Sequence, residues 1–440
     1  MDYNKPPHID EDEYYELLEC AGSLVYEMIA NDPMMYSHPA FSDIIYRDTI
    51  EVLTCQFQDL FCFEKLGHYV ERATQEAITL YHTYVSPRRS YPDTFVRIRP
   101  NVTKMTTKID YLKNIPQPDQ RTQEWYMFRH KYLTASSLWK AFGTQRAQNE
   151  LIYGKCCPID LDRYSRVNTE SPMHWGQKYE DVSIELYERI YKTKVSDFGC
   201  IPHRNVSFLA ASPDGINTDD TSEIYGRMLE VKNIFNREIN GIPKLEYWIQ
   251  MQLQMEVCEL NECDFLETRF VEYQCTDEMS AAEHYEADGE FHETEEGQPK
   301  GIIMYFIKDG LPLYEYAPIG LSMKEFQKWE ARIMNVHEKL TWVKNIYWRL
   351  DEISCVLVLR NKMWFDCALP ILDNLWETIE RERKEGYEHR APNRKVKTAP
   401  TIEATKISEC FINTENLVIS DGGNVMGQEQ SEHKIINIST

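Results

Sequence analysis

LAASPDGI, residues 209–216, followed after a short gap by MLEVKNI, residues 228–234, is the stretch on which the reading of this chain turns. Both pieces are apolar enough for core strands. Yet the first leads into Asp214, and the second carries Glu230 with Lys232 two places on. In an extended strand, side chains two apart point the same way. Glu230 and Lys232 therefore share a face while Val231 points into the core. Strands over 206–213 and 226–233, paired as hairpin neighbours, bring Asp214 beside Glu230 across one ladder spacing. The insertion NTDDTSEIY (217–225) extends that hairpin away from the acids.

The pattern on either side places these strands in a mixed α/β (α+β) domain. PKLEYWIQMQLQMEVCEL (243–260) reads as a helix and CDFLETRFVEY (263–273) as the next strand. SPMHWGQKYEDVSIELYERIYK (171–192) is an amphipathic helix with Ser171 and Pro172 at its start. Before it, PDQRTQEWYMFRHKYLTASSLWKAF (118–142) holds a helical aromatic run, then LTASS capping another helix. IIMYFIKDGLPLYEYAPI (302–319) is two alternating runs around Asp309-Gly310, a hairpin signal. Helices are expected through 322–350 and 361–385, with a short strand SCVLVL (354–359) between them. The central mixed sheet is thus flanked by helices.

Three blocks follow from composition. Residues 1–115 form an acidic, helical accessory unit, with apolar residues at three- and four-residue steps between 10 and 84. Residues 116–390 form the domain described above, interrupted by an acidic loop at 275–297. From 391 to 440 the chain is polar and aperiodic, which predicts a mostly disordered tail. SPRRSYPD (86–93) is a linker or a contact for backbone phosphates; the residues do not separate these.

The formal net charge of −23 speaks at first against a polyanionic partner. It is unevenly spread, however: residues 1–80 hold four Lys or Arg against sixteen Asp or Glu, and 275–297 hold nine acids and no Lys or Arg. Any nucleic-acid surface must be local, with Arg88/Arg89, Arg97/Arg99 and Lys104/Lys108 as candidate clusters. No run of 18 or more apolar residues appears, and the amino terminus has neither a basic start nor an apolar stretch. A soluble, intracellular protein without membrane association is expected. The twelve cysteines form no CxxC pair, and Cys156-Cys157 lack companions at ligand spacing, so reduced thiols are expected rather than zinc. P-loop, nucleophile-elbow and HExxH motifs are absent.

Two hard carboxylates beside backbone carbonyls suit Mg²⁺, which takes one or two protein carboxylates and keeps waters for a phosphate substrate. A lysine next to such an ion can have its pKa lowered and can position or deprotonate an attacking water. This is equipment for phosphodiester hydrolysis. Each fragment alone is commonplace: Glu-x-Lys recurs at 432–434 as EHK, and SPDG is an ordinary turn. The order of the pieces carries the signal: strand, Asp, strand with Glu-x-Lys, then helix.

With these residues in place, the segment from about 120 to 275 resembles the lambda-exonuclease-like branch of the PD-(D/E)XK nucleases. These are the YqaJ-type viral recombinases related to the alkaline exonucleases of large DNA viruses. SPDG with LEVKN looks like that family's D…ExK core. The resemblance implies metal binding by Asp214, Glu230 and the Val231 carbonyl, and water activation by Lys232. WGQKYED is similar to the family's G-x-x-x-E helix, which carries over Glu180 as a further metal-site carboxylate. RHKYLTAS contains Arg129 and Ser136, the pair that grips a DNA 5′-phosphate in the family. YWIQMQLQM is similar to its Y-x-x-Q-x-Q helix, which puts Tyr247, Gln250 and Gln252 at the site, Gln250 among the catalytic groups.

By residue type, Arg129 offers a bidentate fork, and Ser136 sits where a helix start favours anions. Glu180, beside Asp181, gains from Gly176, where the helix can be approached closely. Gln250 and Gln254 share one side of their helix with Tyr247, and Gln252 lies on another. The resemblance further implies a restriction-endonuclease-like core and a hydrolase using two Mg²⁺ ions, with Mn²⁺ able to substitute. It implies duplex DNA ends as substrate, attacked 5′→3′ in recombination, repair or replication. Implied partners are a single-strand annealing protein and further copies of the chain; the implied setting is the host cytoplasm, a viral factory or the nucleus. An endonuclease or resolvase on the same core and a non-catalytic DNA-binding scaffold remain alternatives.

Overall fold

A computed structural model describes residues 10–58, 63–92, 100–161 and 167–392. Arg97, Arg99 and all but two residues of the tail from 391 lie outside the described residues. In chain order come helices α1 (Glu11–Asn31), α2 (Phe41–Phe57) and α3 (Phe63–Tyr84), strand β1 (Tyr91–Pro92), and helices α4 (Val102–Asn114) and α5 (Gln123–Lys131). Next are β2 (Leu133–Thr134), α6 (Ala135–Leu138), α7 (Gln145–Cys156), α8 (Pro172–Tyr191), β3 (Val195–Ser196), β4 (Ile201–Pro202), β5 (Leu209–Ala211), β6 (Gly215–Asn217) and β7 (Met228–Asn233). The chain continues through α9 (Leu245–Cys258), β8 (Glu262–Glu272), α10 (Ala281–Ala287), β9 (Lys300–Lys308), β10 (Leu311–Tyr316), α11 (Met323–Val336), β11 (Thr341–Leu359) and α12 (Lys362–Glu385).

The main sheet runs β10-β9-β11-β8-β7-β6-β3, with β1 also paired to β11. It is mixed. β7 and β8 are parallel, joined through α9, while the other named pairs of this sheet are antiparallel. A smaller sheet, β2-β5-β4, holds a second parallel pair, β2 with β5. The mixed α/β class and the helical amino-terminal region expected from the sequence are therefore present. Local signals account for several elements. Ser171 accepts from the His174 amide to cap α8, with Pro172 in its first turn. Asp309 and Gly310 both take positive φ, 51° and 79°, as a two-residue hairpin turn between β9 and β10 demands.

Side chains from α1, α3, α9 and α12 meet in one hydrophobic cluster that includes Leu17, Val25, Val70, Trp248, Trp364 and Leu372. On the other side of the main sheet, Tyr187 of α8 packs on Leu229, Val231 and Leu266. α9 and α8 thus sandwich the strands that carry the candidate acids.

The structure corrects four readings. Residues 206–213 are not one strand with a partner in 226–233. β5 ends at Ala211 in the small sheet, and only after the turn at Ser212–Asp214 does β6 enter the main sheet beside β7. Residues 341–350, expected as helix, open the 19-residue strand β11, whose first half pairs with β9 and second half with β8. The aromatic and β-branched run TWVKNIYW pairs with β9, and register shifts at 342/344 and 350/352 let the long strand serve both partners in turn. Arg89 is not a surface cation: it is buried, donating to the Tyr36 and Ser37 carbonyls. Finally, the acidic segment 275–297 is more than a loop. It contains α10, whose Tyr285 is buried in a cluster with Ile302, Phe306 and Trp329, and whose end is held by the buried Lys300 ammonium donating to the Tyr285 and Asp288 carbonyls.

Candidate active site

β6 and β7 pair with Gly215 opposite Leu229, so the next position out sets Asp214 opposite Glu230. The register is sealed by the acid itself, as the Val231 amide donates to Asp214 Oδ2 at 2.8 Å. Glu230 is fully buried. Its two oxygens are split between two donors: Lys232 Nζ bonds Oε1, and Gln254 Nε2 bonds Oε2 at 2.7 Å. Lys232 Nζ also donates to the Val231 carbonyl at 3.2 Å and lies 5.1 Å from the centre of the Tyr247 ring. Gln254 reaches the Ser212 carbonyl at 3.2 Å as well, tying α9 to the turn before Asp214.

Glu180 comes from α8. The helix is fixed to β7 by Asn233, whose amide donates to the Gly176 carbonyl at 2.6 Å, and whose carbonyl oxygen accepts from Ser183 at 2.6 Å and Thr268 at 2.7 Å. Gly176 does not serve close packing: a Cβ there would meet open space, because that side of the helix faces the cleft. Glu180 Oε2 accepts from Arg121 at 2.5 Å. The cleft has a volume of about 550 Å³, and its walls include Gly176, Glu180, Asp214, Val231, Lys232 and Tyr247.

The charges of the site act on one another. Burial and the Asp214 charge push Glu230 up to about 7 against the pull of Lys232. Burial and Asp214 likewise push Glu180 up to about 7, against Arg121. Burial works to neutralise Lys232, but Glu230 and Asp214 outweigh it and hold the ammonium above its ordinary range. With Glu230 and Asp214 this close, Lys232 carries its proton. Among the described residues, no three His, Cys, Asp or Glu side chains already converge as a metal cage. The donor set still fits a divalent ion, because three hard carboxylates repel one another around a cleft and two lean on the chain's own cations, Arg121 and Lys232.

Of the glutamines of α9, the structure brings Gln254 to the acids. Gln250, one turn earlier, is buried but does not contact Glu230 through a hydrogen bond. Gln252 lies on another face, where it donates to the Leu359 carbonyl at 3.0 Å and accepts from the Asn361 amide at 2.7 Å. It anchors α9 to the β11–α12 junction, away from the cleft. Gln254 and Asn233 are the groups that sequence reasoning did not assign. The spacing of Gln254, seven after Tyr247 and hence on the same helix face, was the available signal.

Arg129, in the last turn of α5, donates to Ser136 Oγ at 2.7 Å, and its guanidinium lies 4.0 Å from the centre of the Trp125 ring. Trp125 Nε1 donates to Ser212 Oγ at 3.2 Å, so this pair is linked to the same turn that delivers Asp214. Ser136 belongs to a helix of only four residues, so no extended helix start stands behind its hydroxyl.

A mixed-sheet α/β domain with an Asp in the turn before one strand, a Glu-x-Lys on that strand's partner and a flanking helical Glu is the class of structure this chain presents. Residues 124–261 match the family model of the YqaJ-like viral recombinase domain, the family that the sequence motifs resemble. An uncharacterized protein of Acanthamoeba polyphaga mimivirus is 28% identical over 338 residues, covering 69% of this chain. The chain spans 60% of the length of that mimiviral relative. Among solved structures, an alkaline exonuclease from Laribacter hongkongensis aligns over 60% of this chain and 95% of its own, at 16% identity and a TM-score of 0.34. Its complex with dAMP aligns with the same coverage and identity and a TM-score of 0.35. Among the described residues, no helix is long and apolar enough to cross a membrane.

Proposed function

We propose that the chain is a metal-dependent deoxyribonuclease that degrades duplex DNA from its ends in the 5′→3′ direction. Its setting would be the recombination, repair or replication of a large DNA virus. The observation that carries the reading is the Asp214–Glu230–Lys232 cluster, where the turn before β6 meets β7 at the floor of a cleft. The match to the YqaJ-like viral recombinase domain supports it.

Asp214, Glu230 and the Val231 carbonyl would hold one Mg²⁺ or Mn²⁺, and Glu180 would contribute at a second. Such ions, when bound, stabilise charge on the phosphate and make water acidic enough to attack near neutral pH. The remaining work falls to the chain. Gln254 keeps Glu230 aimed at the cleft and favours its charged form. Lys232 orients the nucleophilic water and offers positive charge to the phosphate, its ammonium 5.1 Å from the centre of the Tyr247 ring. Arg129 and Ser136 receive a terminal 5′-phosphate, and Trp125 holds the guanidinium in place. Ordering several copies around one duplex and handing the exposed strand to an annealing protein belong to the same proposal.

The test is digestion with Mg²⁺ of linear duplexes bearing 5′-phosphate or 5′-hydroxyl ends and of a covalently closed circle. Loss of the 5′-phosphorylated linear DNA, with the circle spared, is expected. Cleavage of the circle would make the protein an endonuclease. Folded protein that binds DNA and cuts none of these would make it a scaffold.

A further inference from the structure

Behind Arg129 lies a set of charges that the cleft chemistry does not use. Lys155, in the last turn of α7, points back to α5, and its Nζ donates to the Arg129 carbonyl at 2.8 Å. From α12, Arg383 donates twice to the Lys155 carbonyl, at 3.1 and 2.9 Å, its guanidinium 5.1 Å from the centre of the Trp376 ring. Arg129, Lys155 and Arg383 thus gather at one spot, with His130 beside them donating from Nε2 to the Cys157 carbonyl. Among the described residues, no carboxylate forms an ion pair with Lys155. Burial and the two guanidiniums bring its ammonium down to about 7, and only the Cys200 thiol pulls the other way. Cys200 hydrogen-bonds Ser212 and feels both Arg129 and Lys155, so this cluster lies beside the Arg129–Ser136 pair.

Like charges packed together out of solvent repel one another, and a fold retains them cheaply when an anion is to be held. A phosphodiester carries one negative charge, but a terminal phosphomonoester carries nearly two at neutral pH. Arg129 with Ser136 matches the geometry of one charged face. A second cation beside it is what separates a chain end from the interior of a chain.

We propose that Lys155 is a ligand of the terminal phosphate and reads its second negative charge. This rests on the nuclease reading for its substrate, but the recognition step stands apart from hydrolysis. Lys155 also satisfies a carbonyl in the last turn of α5, and that capping role alone would explain its position. The two roles separate by substitution. In Lys155→Gln the amide can still donate to the Arg129 carbonyl but carries no charge. In Lys155→Arg the charge returns.

The experiment is fluorescence anisotropy in EDTA, where nothing is cut, with duplexes differing only in a 5′-phosphate or 5′-hydroxyl end. Wild type should bind the phosphorylated end about tenfold more tightly or better, the range of one charge-assisted contact. K155Q should lose most of that ratio while melting at the wild-type temperature, and K155R should recover it. A K155Q protein with an unchanged ratio would reduce Lys155 to a cap, and so would loss of the ratio in K155R as well as K155Q. Wild-type protein without end preference would also overturn the proposal. If the preference behaves as described but no metal supports cleavage, the nuclease reading fails while this one survives.

Discussion

Replacing Gln254 with Leu separates what holds Glu230 from what merely fills space. The side chains are similar in volume, and Gln254 is fully buried. The substitution removes the 2.7 Å bond to Glu230 Oε2 and the 3.2 Å bond to the Ser212 carbonyl. It also removes Gln254 Oε1, a buried acceptor with no partner of its own. A hydrogen bond to a charged group contributes roughly 1.5–3 kcal/mol, and an orphaned buried acceptor costs about 1–3 kcal/mol. With Glu230 neutral the gain and loss nearly cancel, so Q254L should be about as stable as wild type at low pH.

The ionised form, however, loses its donor. At 1.36 kcal/mol per unit, ~1.5–3 kcal/mol moves the Glu230 carboxyl upward by roughly one to two pH units from its position near 7. A divalent ion must displace that proton, so Mg²⁺ binding should weaken at neutral pH and recover at alkaline pH. Calorimetric Mg²⁺ titrations and initial rates between pH 6 and 9.5 read this directly. The expected result is an acid limb displaced to higher pH by one to two units, converging on wild type at the alkaline end. A loss of the same size at every pH would refute the reasoning, since it would mean Gln254 acts on shape and not on the charge of Glu230.

Lys232→Ala should fold and bind DNA but lose at least about two orders of magnitude in hydrolysis, the low end of what a positioned proton-transfer group contributes; single-turnover rates check it, and near-normal cleavage would remove Lys232 from the mechanism. Gln252→Ala should instead cost about 2 kcal/mol in urea unfolding by stranding the Leu359 carbonyl and the Asn361 amide, with the Mg²⁺ affinity of the folded protein unchanged. Arg227→Met breaks a buried pair with Asp264, whose carboxyl burial lifts to about 6 against the pull of Arg227 and Tyr187. Between its unfolded value near ~4 and about 6 the folded state holds the extra proton, so stability falls as pH rises through that window. Without Arg227 the carboxyl rises further and the window widens upward. The variant should therefore lose roughly 3–5 kcal/mol at pH 8 and clearly less at pH 5, and equal losses at both would contradict the assignment.

Much of the site could be read along the chain because its pieces are local. Asp214, Glu230 and Lys232 sit within one hairpin, where strand alternation and a single register fix who faces whom. Arg129 and Ser136 are seven residues apart on two short helices separated only by β2. What could not be read depends on partners distant in sequence. The helical periodicity of α9 puts Gln250 and Gln254 on one face, but only the depth at which the helix crosses β7 selects Gln254 for Glu230. Likewise, a 19-residue strand looks like a helix followed by a strand until two different neighbours, β9 and β8, are seen to pair with its two halves.

The sequence by itself determined the mixed α/β class, the hairpin turn at Asp309-Gly310, the cap of α8 and the carboxylate–lysine motif. Each of these is set by interactions within a few residues or across one turn. Tertiary structure alone decided that Arg89 is buried, that Gln252 is an anchor, and that Lys155 from α7 and Arg383 from α12 converge on Arg129. Those outcomes depend on which surfaces meet when helices far apart in the chain pack together. Burial, and with it the strength of every charge, is a property of that meeting and not of the residue.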